Sequence, residues 1–235
     1  MTNSNADTKQ SFPTAQGHRS SRIDRPTDSV YMPANKEDKT LEPTARQRLL
    51  ETATELFAER GYAGTSVREI VGRAGVSKPV LYYYFKNKEG LYYAILEWAA
   101  DVQQGILEEI FAAKGTVLDR FIYLYCRVLE GVSEYRHLYK MIHGLMYGPP
   151  QGAPAYDFPK YQRHMFDAVK RIYTNGLTAS ERESVDGDEV AFLVLSLIDF
   201  SLNMNQVLPE LEDPQRPERL LRLAFQGLSR ETCPE

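Results

Sequence analysis

Between Thr44 and Asn87 the chain carries four helix-start signals, the first three separated by glycine stops, a density of punctuation that fits short helices joined by tight turns. Thr44 and Gln47 are spaced as a capping box, in which the hydroxyl serves the third backbone N–H and the glutamine serves the threonine's own. Behind it Leu49, Leu50, Ala53, Leu56 and Phe57 share one face of a helix over about 45 to 60, which Gly61 ends. Ser66 and Glu69 repeat the box and open a helix over about 67 to 74, broken by Gly75. Ser77 caps a third helix, about 78 to 85, with Pro79 in the first turn, where a missing N–H costs nothing. Asn87 caps a fourth and longer one, in which Leu91, Ile95, Trp98, Val102, Ile106 and Ile110 recur every three or four residues up to Gly115.

The same periodicity predicts helices at about 116 to 132, 134 to 147, 159 to 176, 187 to 208 and 215 to 229, with a Gly/Pro-rich loop from Gly148 to Pro159. No segment alternates as a strand does. The expected fold is therefore all-α: a three-helix head over 44–90 and a larger helical body over 91–230. Residues 1–43 are polar, unperiodic and charge-neutral, which reads as a disordered tail, with Met32 an alternative start. Its sharper reading is a basic arm in which Arg19, Arg22 and Arg25 reach a minor groove. The polar first residues lack the apolar core of a signal peptide, so a cytoplasmic location is expected. The longest apolar stretch, Val190 to Leu208, contains Asp199, Asn203, Asn205 and Gln206 and reads as a buried helix rather than a membrane span.

The two short Ser-capped helices joined through Gly75 form a helix-turn-helix pattern. Its physical logic is that the second helix enters the major groove, about 12 Å wide, while the first braces against the backbone. Charge agrees with this: residues 44–90 hold eight Lys and Arg against five Glu, whereas the whole chain is at −4. Two cysteines, Cys126 and Cys233, and four scattered histidines exclude a disulfide scaffold and leave no metal site or cofactor expected. No Gly-x-Ser-x-Gly, Walker A, Gly-x-Gly-x-x-Gly or His-Glu-x-x-His motif occurs, so an enzyme is not expected.

The stretch from Thr44 to Leu96, with its runs LFAERGYAGTSV, IVGRAGVS and LYYYFKNKEGL, resembles the DNA-binding head of the TetR family of bacterial transcriptional regulators. That resemblance implies a regulator that binds a palindromic operator as a homodimer and releases it when a small molecule fills the body. It assigns phosphate contacts to Thr65, Ser66, Tyr82, Tyr84 and Lys88, and phosphate or base contacts to Arg68. Ser77, Lys78 and Pro79 open the recognition helix, with Lys78 reading guanine or pairing with phosphate, and Tyr83 meeting a thymine methyl or base edge. Val76, Val80, Leu81 and Phe85 belong to the head's own core. The last two helices would form the subunit interface, through Ala191, Val194, Ile198 and Leu202 with Leu220, Leu221, Leu223 and Ala224. Aromatic, Met and polar residues of the body suit a ligand site, with Trp98, Tyr125, His143, Met165, Phe192, Asp199 and Asn203 the candidates. The alternative is a helical regulator that works through a protein partner without touching DNA.

Overall fold

The computed structural model describes residues 43–176, 186–208, 210 and 213–230. The tail and its three arginines lie outside the described residues. The helices run α1 (Ala45–Arg60), α2 (Val67–Arg73), α3 (Lys78–Phe85), α4 (Lys88–Ala112), α5 (Val117–Glu134), α6 (Arg136–Tyr147), α7 (Phe158–Asn175), α8 (Gly187–Val207) and α9 (Arg216–Arg230). No strand occurs among the described residues.

The expected caps explain where these helices start. The Thr44 hydroxyl accepts from the Gln47 N–H at 3.2 Å, and Gln47 Oε1 accepts from the Thr44 N–H at 3.0 Å. Ser66 and Glu69 close the same reciprocal pair at 3.2 and 2.9 Å. A third box, Thr116 with Asp119, opens α5. Sequence inspection passed over it because aspartate stands where the motif has glutamate or glutamine. Asn87 Oδ1 accepts from the Gly90 N–H at 2.7 Å and caps α4. Ser77 departs from expectation. It occupies the cap position of α3, but its side chain makes no capping hydrogen bond.

Two clusters of buried residues form the core, and α4 belongs to both. The first gathers Leu49, Leu56 and Phe57 of α1, Ile70 of α2, Leu81 and Phe85 of α3 and the start of α4, with Val76 and Val80 packed against it. It is completed by Leu138 and Met141 of α6. Three helices leave one side of so small a core open, and α6 closes it. The second cluster joins the end of α4 to α5, α7, α8 and Leu221 of α9. Between α6 and α7 the Gly/Pro-rich loop lies back on the head. The Ala63 N–H donates to the Gln151 carbonyl at 3.1 Å, and the Tyr93 hydroxyl donates to the Ala155 carbonyl at 3.2 Å.

Helix α8 is long and apolar enough to cross a membrane by length and composition. Its stripe Val190, Ala191, Val194, Ile198 and Leu202 instead packs in the second cluster, and polar residues interrupt its other side. This corrects five of the eight residues expected at the subunit interface. Ala191, Val194, Ile198, Leu202 and Leu221 are all buried within their own chain. Leu220 and Ala224 are half-buried, and only Leu223 of that set is exposed, at 68%. The apolar groups that α8 leaves in solvent are Phe192, Phe200 and Val207.

The joint between α3 and α4 is stiff. Lys86 has φ +64°, and around it the Asn87 N–H donates to the Phe85 carbonyl at 2.7 Å, a tight turn with a backbone conformation rare for a side-chain-bearing residue. A Cβ at Gly90 would stand 2.1 Å from the Phe85 carbonyl oxygen, so the approach of the two helices needs glycine there.

Candidate nucleic-acid interface and body cavity

The turn between α2 and α3 passes through Gly75 at φ +65°, where an added Cβ would meet nothing within 4 Å. Glycine serves the dihedral there and not the space. The turn rotates α3 so that Leu81 and Phe85 point inward, while Ser77, Lys78, Pro79, Tyr82, Tyr83 and Tyr84 all stand exposed. Tyr83 is 82% exposed, with its ring edge-on to Tyr84 at 5.0 Å. Three adjacent tyrosines in solvent add little to folding, but they present hydroxyls and flat apolar faces to whatever docks there.

The head's charges divide into those used internally and those left over. Arg60 pairs with Glu69 at 2.9 Å and Arg73 with Glu55 at 2.8 Å. Arg48 donates to the carbonyls of Ala74 and Pro43, and Arg46 lies 5.6 Å above the Phe85 ring. The Glu69 carboxylate is held below its ordinary pKa, first by the Ser66 N–H and hydroxyl and then by Arg60. Among the described residues Arg68, Lys78 and Lys86 carry no ion pair. Arg68 is exposed on α2, and so is the cap residue before the helix, Ser66, whose hydroxyl donates to Glu69 Oε2 at 2.8 Å.

Two expected phosphate contacts are corrected. Thr65 is 2% exposed, and its hydroxyl points at the carbonyls of Gly61 at 2.9 Å and Leu56 at 3.2 Å, where it ties the turn to α1. Lys88 turns inward. Its Nζ donates to the Tyr62 carbonyl at 2.5 Å and sits 3.9 Å from the centre of the Tyr62 ring, and removal from solvent pushes its pKa down. Both partners are distant in sequence, so no local pattern announces them.

Behind the head, α4 to α8 wall a cavity of about 980 Å³, within the range of small-molecule sites. His143, Met165, Phe192 and Asp199 line it as expected, and Tyr135, Tyr139, Tyr161 and Phe166 add to its aromatic wall. His143 stands between Tyr139 at 5.7 Å and Tyr147 at 4.8 Å, ring centre to ring centre. Burial pushes the phenols of Tyr135, Tyr139 and Tyr161 up to about 12. Three candidates do not line the cavity. Trp98 packs edge-on to Tyr135 in the first cluster. Tyr125 is fully buried, its hydroxyl bonded to the Leu197 carbonyl at 3.1 Å and to Ser201. Asn203 donates to the Asp199 carbonyl at 2.8 Å and to its carboxylate at 3.2 Å. Gln103, which sequence inspection overlooked, does line it. Its signal was a lone amide on the apolar stripe of α4.

The profile of the tetR family of bacterial regulatory proteins matches residues 49–95, from α1 into α4. The match with the transcriptional repressor KstR2 of Mycolicibacterium smegmatis (strain ATCC 700084 / mc(2)155) goes further, 30% identical over 159 residues, 65% of this chain and 76% of that protein. The chain belongs to the tetR family. A second similar protein of this kind, the transcriptional activator FasR of the same organism, is 50% identical over 56 residues, but the match spans only 24% of this chain and 26% of FasR. The solved tetR-family regulator PfmR from Thermus thermophilus shares the fold, with a TM-score of 0.58 at 22% identity over 83% of this chain and all of PfmR.

Proposed function

We propose that the chain is a cytoplasmic, non-catalytic repressor that binds a palindromic operator as a homodimer and releases it when a small molecule fills the body cavity. The observation that carries this reading is the continuity of α4: it leaves the recognition helix through the stiff corner at Lys86 to Gly90 and lines the cavity with Ala99, Val102, Gln103 and Ile106. A shift of α4 by a ligand therefore moves α3. Couplings of this kind are worth about 1–3 kcal/mol, or 5- to 150-fold in affinity.

On the DNA side the contacts fall to Ser66, Arg68, Ser77, Lys78, Pro79, Tyr82, Tyr83 and Tyr84. Tyr82, Tyr84, Arg68 and the N–H groups at the start of α3 meet phosphates, while Lys78 and Tyr83 reach base edges. The outer faces of α8 and α9, with Phe200, Val207 and Leu223 left in solvent, supply the dimer contact. Repression is favoured over activation because the match to a repressor extends into the body, whereas the match to an activator covers 56 residues only.

The test is a salt series of binding to the DNA flanking the protein's own coding region. A sequence-specific site whose affinity falls with salt at a log–log slope of about −0.9 per phosphate contact supports the reading. Salt-insensitive or sequence-blind binding sinks it and favours a protein partner. If an effector and the operator bind independently when titrated together, the coupling half of the proposal fails.

A further inference from the structure

Four polar or charged residues are buried in the described chain: Thr54, Thr65, Gln103 and Ser201. Three are satisfied internally. Thr54 donates to the Leu50 carbonyl at 2.8 Å, Thr65 to the carbonyls already named, and Ser201 bonds the Tyr125 hydroxyl. Gln103 is the exception. It is 8% exposed, it lines the cavity, and its side-chain amide has no hydrogen-bond partner among the described residues. The neighbouring Gln104, which faces solvent, gives its amide to Glu108 at 2.6 Å. Among the described residues the fully buried side-chain polar atoms without a partner are Arg120 Nε and the Tyr139 hydroxyl; the unpaired Gln103 amide is not one of them, so it faces the open space of the cavity. A ligand in the cavity can therefore supply the partner that the Gln103 amide lacks.

The charges around the cavity limit what that partner is. Arg163 and Asp199 are its two formally charged lining residues, and both are exposed, so they belong to the rim. The buried side chains that line the cavity with Gln103, namely Ala99, Ile106, Leu138, Ile198 and Leu202, offer an ion nothing. A charged group brought there would lose its hydration without compensation.

Resting on the reading of this cavity as the effector site, we propose that Gln103 is its specificity-determining residue. The ligand class it selects is an uncharged, mainly apolar molecule carrying one carbonyl or hydroxyl that reaches the Gln103 amide. An amide both donates and accepts, so either group satisfies it. Sites with a buried hydrogen-bonding group discriminate strongly against analogues that lack the partner, whereas apolar walls alone barely distinguish ligands of similar shape. Because Gln103 stands on α4, the same bond that selects the ligand pulls on the helix that carries α3.

The test uses two probes of one shape, 4-hexylbenzophenone and 4-hexyldiphenylmethane, which differ by a carbonyl against a methylene. Binding is measured by calorimetry to the full-length protein and to Gln103→Leu, with thermal melting to confirm that the variant folds. Irradiation of the bound ketone followed by peptide mapping locates it. The expected result is that the ketone labels cavity-lining peptides and binds wild type about tenfold more tightly than the methylene compound, and that Gln103→Leu abolishes the difference by weakening the ketone alone. Equal binding of both probes inside the cavity of wild type, or a difference that survives in Gln103→Leu, overturns the proposal and leaves the effector site standing. Dodecanoate or dodecyltrimethylammonium displacing the ketone at lower concentration than the ketone itself requires overturns the uncharged class. Labelling outside the cavity, or no binding by either probe, overturns the effector-site reading and this inference with it.

Discussion

Replacing Thr65 by valine keeps the shape of the side chain and removes only the hydroxyl. In the structure that hydroxyl is buried and faces the carbonyls of Gly61 and Leu56 at 2.9 and 3.2 Å. It has one proton, so one good hydrogen bond is lost and a second acceptor loses a polar neighbour. A net hydrogen bond is worth about 1 kcal/mol, and leaving a buried acceptor unpaired raises the cost to about 1–2 kcal/mol. For a chain of this size about 2–4 °C of melting temperature goes with each kcal/mol, so Thr65→Val should melt about 2–8 °C lower in a calorimetric scan. Thr65→Ser, which keeps the hydroxyl, should recover most of the loss. At a temperature where both are folded, operator affinity and its salt slope should match wild type. The reasoning is refuted if Thr65→Val melts like wild type while its log–log slope shrinks by a phosphate's worth, about 0.9. That outcome would put the hydroxyl on DNA.

Lys88→Met should likewise leave the salt slope unchanged. It should lower stability by about 1 kcal/mol, because the cation–π contact and the bond to the Tyr62 carbonyl are partly offset by the desolvation that depresses the lysine's pKa; urea titration reads this. Gly90→Ala drives a methyl against the Phe85 carbonyl oxygen. It should cost more than about 1 kcal/mol despite alanine's better helix propensity, and weaken operator binding, measured by fluorescence anisotropy. Glutamate at either Phe200 or Leu223, both exposed, should leave the fold intact and shift sedimentation to a monomer; an unchanged dimer would place the interface elsewhere. The phenols of Tyr92, Tyr135, Tyr139 and Tyr161 are pushed up to about 12, so folding favours their neutral forms. Stability from this source is intact below the ordinary value of 10.0 and falls as pH rises from 10.0 towards 12. Tyrosinate absorbance and helical signal should therefore change together in that window.

Much of the fold was legible because helix boundaries are local events. A serine and a glutamate three residues apart satisfy each other whatever lies beyond them, and the boxes at Thr44 and Ser66 stand where the spacing puts them. What the sequence does not carry is the identity of distant partners. Helix α8 is apolar on two faces, and periodicity marks both without saying which turns inward; the stripe Ala191, Val194, Ile198 and Leu202 went to the core and Phe200 to the outside. Thr65 and Lys88 sit where a helix-turn-helix offers phosphate contacts, but the Leu56 carbonyl and the Tyr62 ring claim them first. In the body, aromatic content alone does not separate a wall from a core. His143, Met165, Phe192 and Asp199 line the cavity, while Tyr125 and Trp98, chemically just as suitable, are packed into the clusters behind it. The more informative signal was an incongruity, the polar Gln103 among aliphatic neighbours.

The closure of the head by α6 has a consequence for how such proteins can be recombined. Leu138 and Met141 come from beyond α5, and the Gln151 carbonyl that holds the Ala63 N–H comes from the loop beyond α6. A segment cut after α4 would therefore carry an open hydrophobic side and a loosened first turn. Grafted onto another regulator's body, it would need a matching patch already in place on the recipient's α6. The apparent module is a unit of sequence, whereas the unit that holds itself together is discontinuous. Exchange of operator specificity between family members is then expected to succeed by changing the outward residues of α3, and to fail when the first four helices are moved as a block.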